Sequence, residues 1–180
     1  MIKLRVISGK YKGKKLLGFD IDGTRPTMDR VKESLFAMIN SRLKNSVVLD
    51  LFAGSGSLGI ESLSNGAKKA IFVDNNNELI NIIKINTKDF TDDIKIIKSD
   101  YKEALDSFKN SNMKFDIIFL DPPYKLNLIN DCLEKIVNYN LLNNDGIVVC
   151  EFESESVKSE KLTLIKSRKY GSKNINIYKV

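Results

Sequence analysis

Two strings in this 180-residue chain bring together residue types that chemistry can use, and each follows directly on an apolar run. The first is Val47-Val48-Leu49-Asp50-Leu51-Phe52-Ala53-Gly54-Ser55-Gly56-Ser57-Leu58-Gly59, a strand-like stretch passing into Gly-x-Gly-x-x-Gly. Glycines there allow a sharp turn and let a ligand approach backbone N–H groups at the start of a helix. Asp74, twenty residues after Gly54, ends the next apolar run, where a carboxylate can accept from ribose hydroxyls. The second string is Asp121-Pro122-Pro123-Tyr124, immediately after Ile117 to Leu120. Consecutive prolines lock φ and remove two N–H donors, leaving a stiff loop whose carbonyls are unopposed acceptors. That set suits a planar amine: Asp121 and the Pro122 carbonyl take its N–H bonds, and Tyr124 stacks on its ring.

The glycine string alone fits a dinucleotide as well as a nucleoside with a charged tail. Asp50 tips the balance, because it places a carboxylate where a methionine ammonium can be held and a pyrophosphate is repelled. Asp100, in Lys98-Ser99-Asp100-Tyr101, offers an acceptor for an adenine amino group, although either carboxylate can equally serve as a helix cap or a surface acid. With Phe52, Ala53, Ser55, Asn75 and Tyr101 these residues form a candidate site for S-adenosylmethionine. Its sulfonium is already an excellent leaving group, so transfer of its methyl needs an in-line nitrogen lone pair more than a strong base. Positioning can supply up to about 7–11 kcal/mol of such a barrier, and base–aromatic stacking adds about 1–3 kcal/mol to binding. The chain has no histidine, which excludes a Ser-His-Asp triad, a histidine-held zinc and imidazole acid/base catalysis.

Elements must bring the two strings together, and the pattern after residue 45 provides them. Short β-branched runs at 47–51, 70–74, 95–98, 116–120 and 146–151 alternate with helix-like stretches near 57–65, 77–88, 102–109 and 127–138, the signature of a mostly parallel α/β sheet. In the last helix Ile129, Cys132, Leu133 and Ile136 form one apolar face, with Asp131 and Lys135 as an outward pair. Residues 162–167 and 174–180, joined at Tyr170-Gly171-Ser172, read as a closing antiparallel hairpin. Lys3 to Ile7 and Lys14 to Leu17 flank a basic glycine turn and read as another hairpin. Thr27 is placed to cap the helix that follows, whose stripe is Val31, Leu35, Met38 and Ile39. A single domain over 1–180 is expected, with 1–45 as a basic annex to the catalytic sheet of 46–180.

The net charge of +6 is uneven: residues 1–45 carry +7 and the remainder −1. A local basic excess favours a polyanion through counterion release, although a solvated basic surface has the same composition. Apolar runs of four or five residues fall far short of a membrane span, and no secretory signal opens the chain. A cytoplasmic monomer is expected, with Cys132 and Cys150 as buried thiols.

The string Asp50 to Gly59 with Asp121-Pro122-Pro123-Tyr124 resembles class I S-adenosylmethionine-dependent amino-methyltransferases. More narrowly, Arg5-Val6-Ile7-Ser8-Gly9-Lys10-Tyr11-Lys12-Gly13-Lys14-Lys15-Leu16, Thr24-Arg25-Pro26-Thr27 and Asp29 to Phe36 resemble the RsmD-type 16S rRNA guanine-N2-methyltransferases, along essentially the whole chain. The resemblance implies a seven-stranded Rossmann-like sheet and methylation of the exocyclic amine of a guanine in the small ribosomal subunit. It implies cofactor on Asp50 to Gly59, Asp74 and Asp100, the target base at Asp121 to Tyr124, and RNA on Arg5, Lys10, Lys12, Lys14, Lys15 and Arg25. The catalytic strings are shared with DNA adenine and cytosine amino-methyltransferases, which remain the alternative. An NAD(P)-dependent oxidoreductase explains Gly54 to Asp74 but leaves Asp121 to Tyr124 idle. A non-catalytic RNA-binding module needs neither string.

Overall fold

A computed structural model describes residues 3–18, 25–123, 128–154 and 156–180. The sheet has seven strands: β3 (Val47–Asp50), β4 (Lys69–Asp74), β5 (Asp93–Lys98), β6 (Phe115–Leu120), β7 (Leu142–Phe152), β8 (Thr163–Tyr170) and β9 (Lys173–Lys179). Their order is β5-β4-β3-β6-β7-β9-β8. The run from β5 to β7 is parallel, and the β8–β9 hairpin closes the sheet antiparallel through β7. The chain first builds outward from β3 to β5, then crosses back to lay β6 on the other side of β3. The order therefore reverses between β3 and β6, and such a reversal opens a crevice at the carboxyl ends of the strands.

Helices cover both faces. Helices α1 (Arg25–Ile39), α2 (Ser57–Ser64) and α3 (Asn77–Thr87) share one apolar cluster with Val48, Phe72, Phe119 and Val149. Helices α4 (Tyr101–Asn110) and α5 (Ile129–Asn138) build the opposite layer against Leu49, Ile71, Ile118 and Val148. The expected face of α5 holds, with Ile129, Cys132, Leu133 and Ile136 all buried. Cys150 is buried in the same layer. The Asp131–Lys135 pairing gives way to tertiary partners: Asp131 accepts from the Tyr101 hydroxyl at 2.8 Å, and Lys135 turns to Tyr139. Thr27 is not a cap, because α1 already begins at Arg25. Pro26 suits a first turn, where its missing N–H has no intrahelical partner to lose. Among the described residues no helix is long and apolar enough to cross a membrane.

The N-terminal residues pair β1 (Lys3–Arg5) with β2 (Lys15–Leu17) as a separate antiparallel ribbon. β1 is shorter than its apolar alternation predicts because Ile7 and Ser8 give their N–H groups to the Glu61 carboxylate of α2, at 2.8–3.1 Å. Glu61 is 1% exposed and lies 3.2 Å from the Lys32 ammonium of α1, which is also buried. Lys32 also donates to the Arg5 carbonyl at 2.7 Å and the Ser57 hydroxyl at 3.0 Å. One buried ion pair thus ties ribbon, α1 and α2 together. Gly9 fits the same junction: its φ is +79°, and a Cβ there would lie 1.9 Å from the Ser64 carbonyl oxygen.

Removing one member of a buried pair strands the other charge and typically costs about 3–5 kcal/mol, whereas an apolar replacement of both is often neutral. Glu61→Ala is expected to lose stability on that scale in a denaturant titration, and Lys32→Met with Glu61→Leu to recover only part of it, because the Ile7 and Ser8 N–H groups still lose their acceptor.

Candidate functional site

Asp50 ends β3, and the chain then turns through the glycine string into α2. Gly54 and Gly56 adopt φ of 55° and 78°, the left-handed region that side chains with a Cβ disfavour. Gly59 is needed for another reason: a Cβ on it would sit 2.3 Å from the Phe72 ring of β4. The loop is fastened at several points. The Ala53 N–H donates to the Val73 carbonyl at 2.9 Å, Gly54 N–H to Asp74 Oδ2 at 3.0 Å, and Gly59 N–H to Asp50 Oδ2 at 3.1 Å. From α3, the Asn86 amide donates to the Ser55 and Leu17 carbonyls, both at 2.9 Å, joining the loop to β2.

The other cofactor candidates cluster around this loop. Asp74 uses its second oxygen to accept from Asn76 N–H at 2.9 Å, and the exposed Asn75 lies between them. Asp100 caps α4 by accepting from Lys102 N–H at 2.8 Å, the capping role that its position also allowed. Phe52 and Tyr101 pack ring to ring at 5.5 Å. Burial and the hydrogen bond to Asp131 push the Tyr101 hydroxyl upward in pKa.

Asp121 follows β6, which pairs directly with β3 through Asp50 and Phe119. The two strings therefore stand on neighbouring strands at the reversal point. Pro122 is buried and Pro123 exposed, and Tyr124 lies outside the described residues. Burial raises the Asp121 carboxyl well above the usual range; Glu151 and Asp50 add to the rise as like charges, and Lys173 opposes it. Asp50 is pushed up to about 7 by burial, with Asp74 adding to the effect and the Gly59 N–H opposing it. Across the parallel strands the rim carries Asp100, Asp74, Asp50, Asp121 and Glu151 in spatial order. Such a row suits cations and amine donors and disfavours a pyrophosphate.

The basic candidates divide by environment. Lys12 and Lys15 are exposed. Arg5, 60% exposed, pairs with Asp29 at 3.0 Å. Lys10 and Lys14 turn toward the segment after α3, where Lys10 pairs with Asp92 and Lys14 lies 3.3 Å from Asp89. Tyr11 stacks on Phe90 between them at 4.1 Å. The Arg25 side chain is outside the described residues. Lys32, Glu61, Asn86, Glu151 and Lys173 escaped the sequence reading. Glu61 alone left a trace there, as an acid inside the small and apolar run Leu58-Gly59-Ile60-Glu61-Ser62-Leu63.

Compared with known proteins, residues 4–179 match the family described as Conserved hypothetical protein 95. The chain belongs to that family. Among its relatives is YlbH of Bacillus subtilis, whose name proposes an rRNA methyltransferase, 41% identical over 98% of each chain. Another is Ribosomal RNA small subunit methyltransferase D of Haemophilus influenzae, 33% identical over 98% of this chain and 93% of that one. HI0767 of Haemophilus influenzae, whose description proposes a methylase, superposes with a TM-score of 0.80 at 31% identity, covering 98% of this chain and 97% of its own. SMU.776, whose description proposes a methyltransferase and which was solved with S-adenosylhomocysteine, shares the fold at a TM-score of 0.75 and 15% identity, over 93% of this chain and 54% of its own. The fold of this family member is that of a class I methyltransferase, as its sequence motifs implied.

The raised Asp50 carboxyl carries a stability consequence. In the unfolded chain it ionises near its ordinary 3.8, and in the fold near 7. Between those values the folded state holds the extra proton, so this group makes stability fall as pH rises, with the full cost present above 7. At about 1.4 kcal/mol per unit the cost amounts to a few kcal/mol. Asp50→Asn, which can still accept from Gly59, is expected to raise the melting temperature at pH 8 and to leave it nearly unchanged toward pH 4.

Proposed function

We propose that this chain transfers a methyl group from S-adenosylmethionine to the exocyclic N2 amine of a guanine in 16S rRNA. The observation that carries the reading is the placement of the glycine loop and Asp121-Pro122-Pro123 on adjacent strands at the crevice where the strand order reverses. The names of YlbH and the Haemophilus influenzae relative support rRNA as the substrate class.

The residues present fit the donor. The Gly54 to Gly59 loop allows close approach of a nucleoside, Asp74 and Asn75 lie at the strand end where ribose hydroxyls are met, and the acidic rim matches the ammonium and sulfonium charges. Bound S-adenosylmethionine supplies an electrophilic methyl carbon. The protein's part is to orient the amine: Asp121 and the Pro122 carbonyl accept its N–H bonds, which points the nitrogen lone pair away from them and toward the donor, while Tyr124 stacks on the base. As the new bond forms the amine becomes acidic, and a carboxyl of raised proton affinity at Asp121 is placed to take its proton. A base within a helix must be flipped out at a cost of a few kcal/mol, so an exposed loop or an assembling subunit is the favoured substrate. Arg5, Lys12, Lys15 and Arg25 supply the phosphate contacts, with Lys10 and Lys14 contributing beside their acidic partners.

Small subunits lacking the modification, incubated with methyl-labelled S-adenosylmethionine and digested to nucleosides, are expected to yield N2-methylguanosine by mass spectrometry. Asp121→Ala should lower the rate by about 100-fold or more with cofactor affinity retained. Label on another base, or on DNA in preference to rRNA, would overturn the reading, as would normal turnover by the variant.

A further inference from the structure

Asp121 has a second carboxylate beside it. The β6–β7 register pairs Phe119 with Val149 and Leu120 with Cys150, so Asp121 and Glu151 come next on neighbouring parallel strands. Alternation puts both on the sheet face of Phe119 and Val149, the face that also carries Asp50. Glu151 is no solvated surface acid. Its side chain is 11% exposed, and Lys173 Nζ of β9 lies 2.5 Å from its Oε1.

Orienting an amine does not require this second acid, but choosing among amine-bearing bases does. Guanine presents N1–H next to its 2-amino group, two neighbouring donors on one edge. Adenine and cytosine place an acceptor ring nitrogen next to their amines. Side-by-side carboxylates match the guanine edge and set acceptor against acceptor for the other two, and a site built to pair a polar group strongly rejects the analogue that lacks it. We propose that Glu151, anchored by Lys173, accepts guanine N1–H while Asp121 and Pro122 hold the 2-amino group, making Glu151 the residue that selects guanine. The assignment rests on the guanine-methylating function proposed above and extends it to a residue outside the Asp121 to Tyr124 string.

The test replaces the acceptor guanine, once located with the wild-type protein, by 2,6-diaminopurine in reconstituted small subunits. That base keeps the 2-amino group but has a lone pair at N1 in place of the N–H. The wild-type protein should prefer guanine in kcat/KM by on the order of 100-fold or more. In Glu151→Gln, whose amide can donate to the N1 lone pair, guanine methylation should fall and the preference shrink by about tenfold or more, with a cooperative unfolding transition retained and S-adenosylhomocysteine affinity unchanged. Lys173→Gln, which removes the anchor and keeps the acid, should narrow the preference in the same direction and serves if the first variant does not fold. An unchanged preference in a folded, cofactor-binding variant overturns the role of Glu151 and leaves the function standing. Failure of the wild-type protein to methylate guanine at all would instead overturn the function and this assignment with it.

Discussion

Parallel strands that end at one rim concentrate whatever charge their last residues carry, and here every strand from β5 to β7 delivers a carboxylate. Ionised carboxyls partly withheld from water are costly unless paired or hydrogen-bonded. The structure compensates them one by one: Gly59 N–H for Asp50, Gly54 and Asn76 N–H for Asp74, Lys102 N–H for Asp100, and the Lys173 ammonium for Glu151. The same hydrogen bonds that satisfy Asp50 and Asp74 hold the glycine loop in shape, so the acidity of the rim and the geometry of the cradle have a single origin. Compensation is incomplete at Asp50 and Asp121, whose carboxyls stay raised. A cationic donor and an amine acceptor are the ligands that such a rim favours.

Helix α2 is only eight residues long, too short to persist on its own propensity. Its two ends are fixed from outside. Asp50 binds the N–H of Gly59 in its first turn, while Lys32 reaches both Ser57 and Glu61. At the other end the turn after β1 supplies Lys10 N–H to the Ser64 carbonyl at 2.8 Å and Tyr11 N–H to the Ser64 hydroxyl at 2.9 Å. The basic ribbon is thus a buttress for α2 and, through it, for the glycine loop. Through α2 and Asn86 this ribbon is mechanically joined to the glycine loop.

Much of the architecture was legible because its signals are local. Alternating β-branched runs and amphipathic stretches placed the strands and helices of the sheet, and the apolar face of α5 could be read residue by residue from its spacing. The glycine string announced its turn because glycine enters the left-handed backbone of Gly54 and Gly56 without the cost that a Cβ adds. Where local signals misled, a tertiary partner had intervened. Glu61 drew Ile7 out of the ribbon, and Tyr101 drew Asp131 away from Lys135.

By itself the sequence determined the inventory: a glycine loop after one strand, a rigid acceptor loop after another, a basic start and no imidazole anywhere. It could do so because turns, periodicity and side-chain chemistry depend on residues a few positions apart. Only the tertiary structure decided adjacency, since Asp50 and Asp121 are neighbours solely because β6 returns to the far side of β3. Hydrogen bonds and charge compensation act over a few ångströms of space, and that reach bears no relation to the long stretch of chain that separates Asp50 from Asp121, or Lys32 from Glu61.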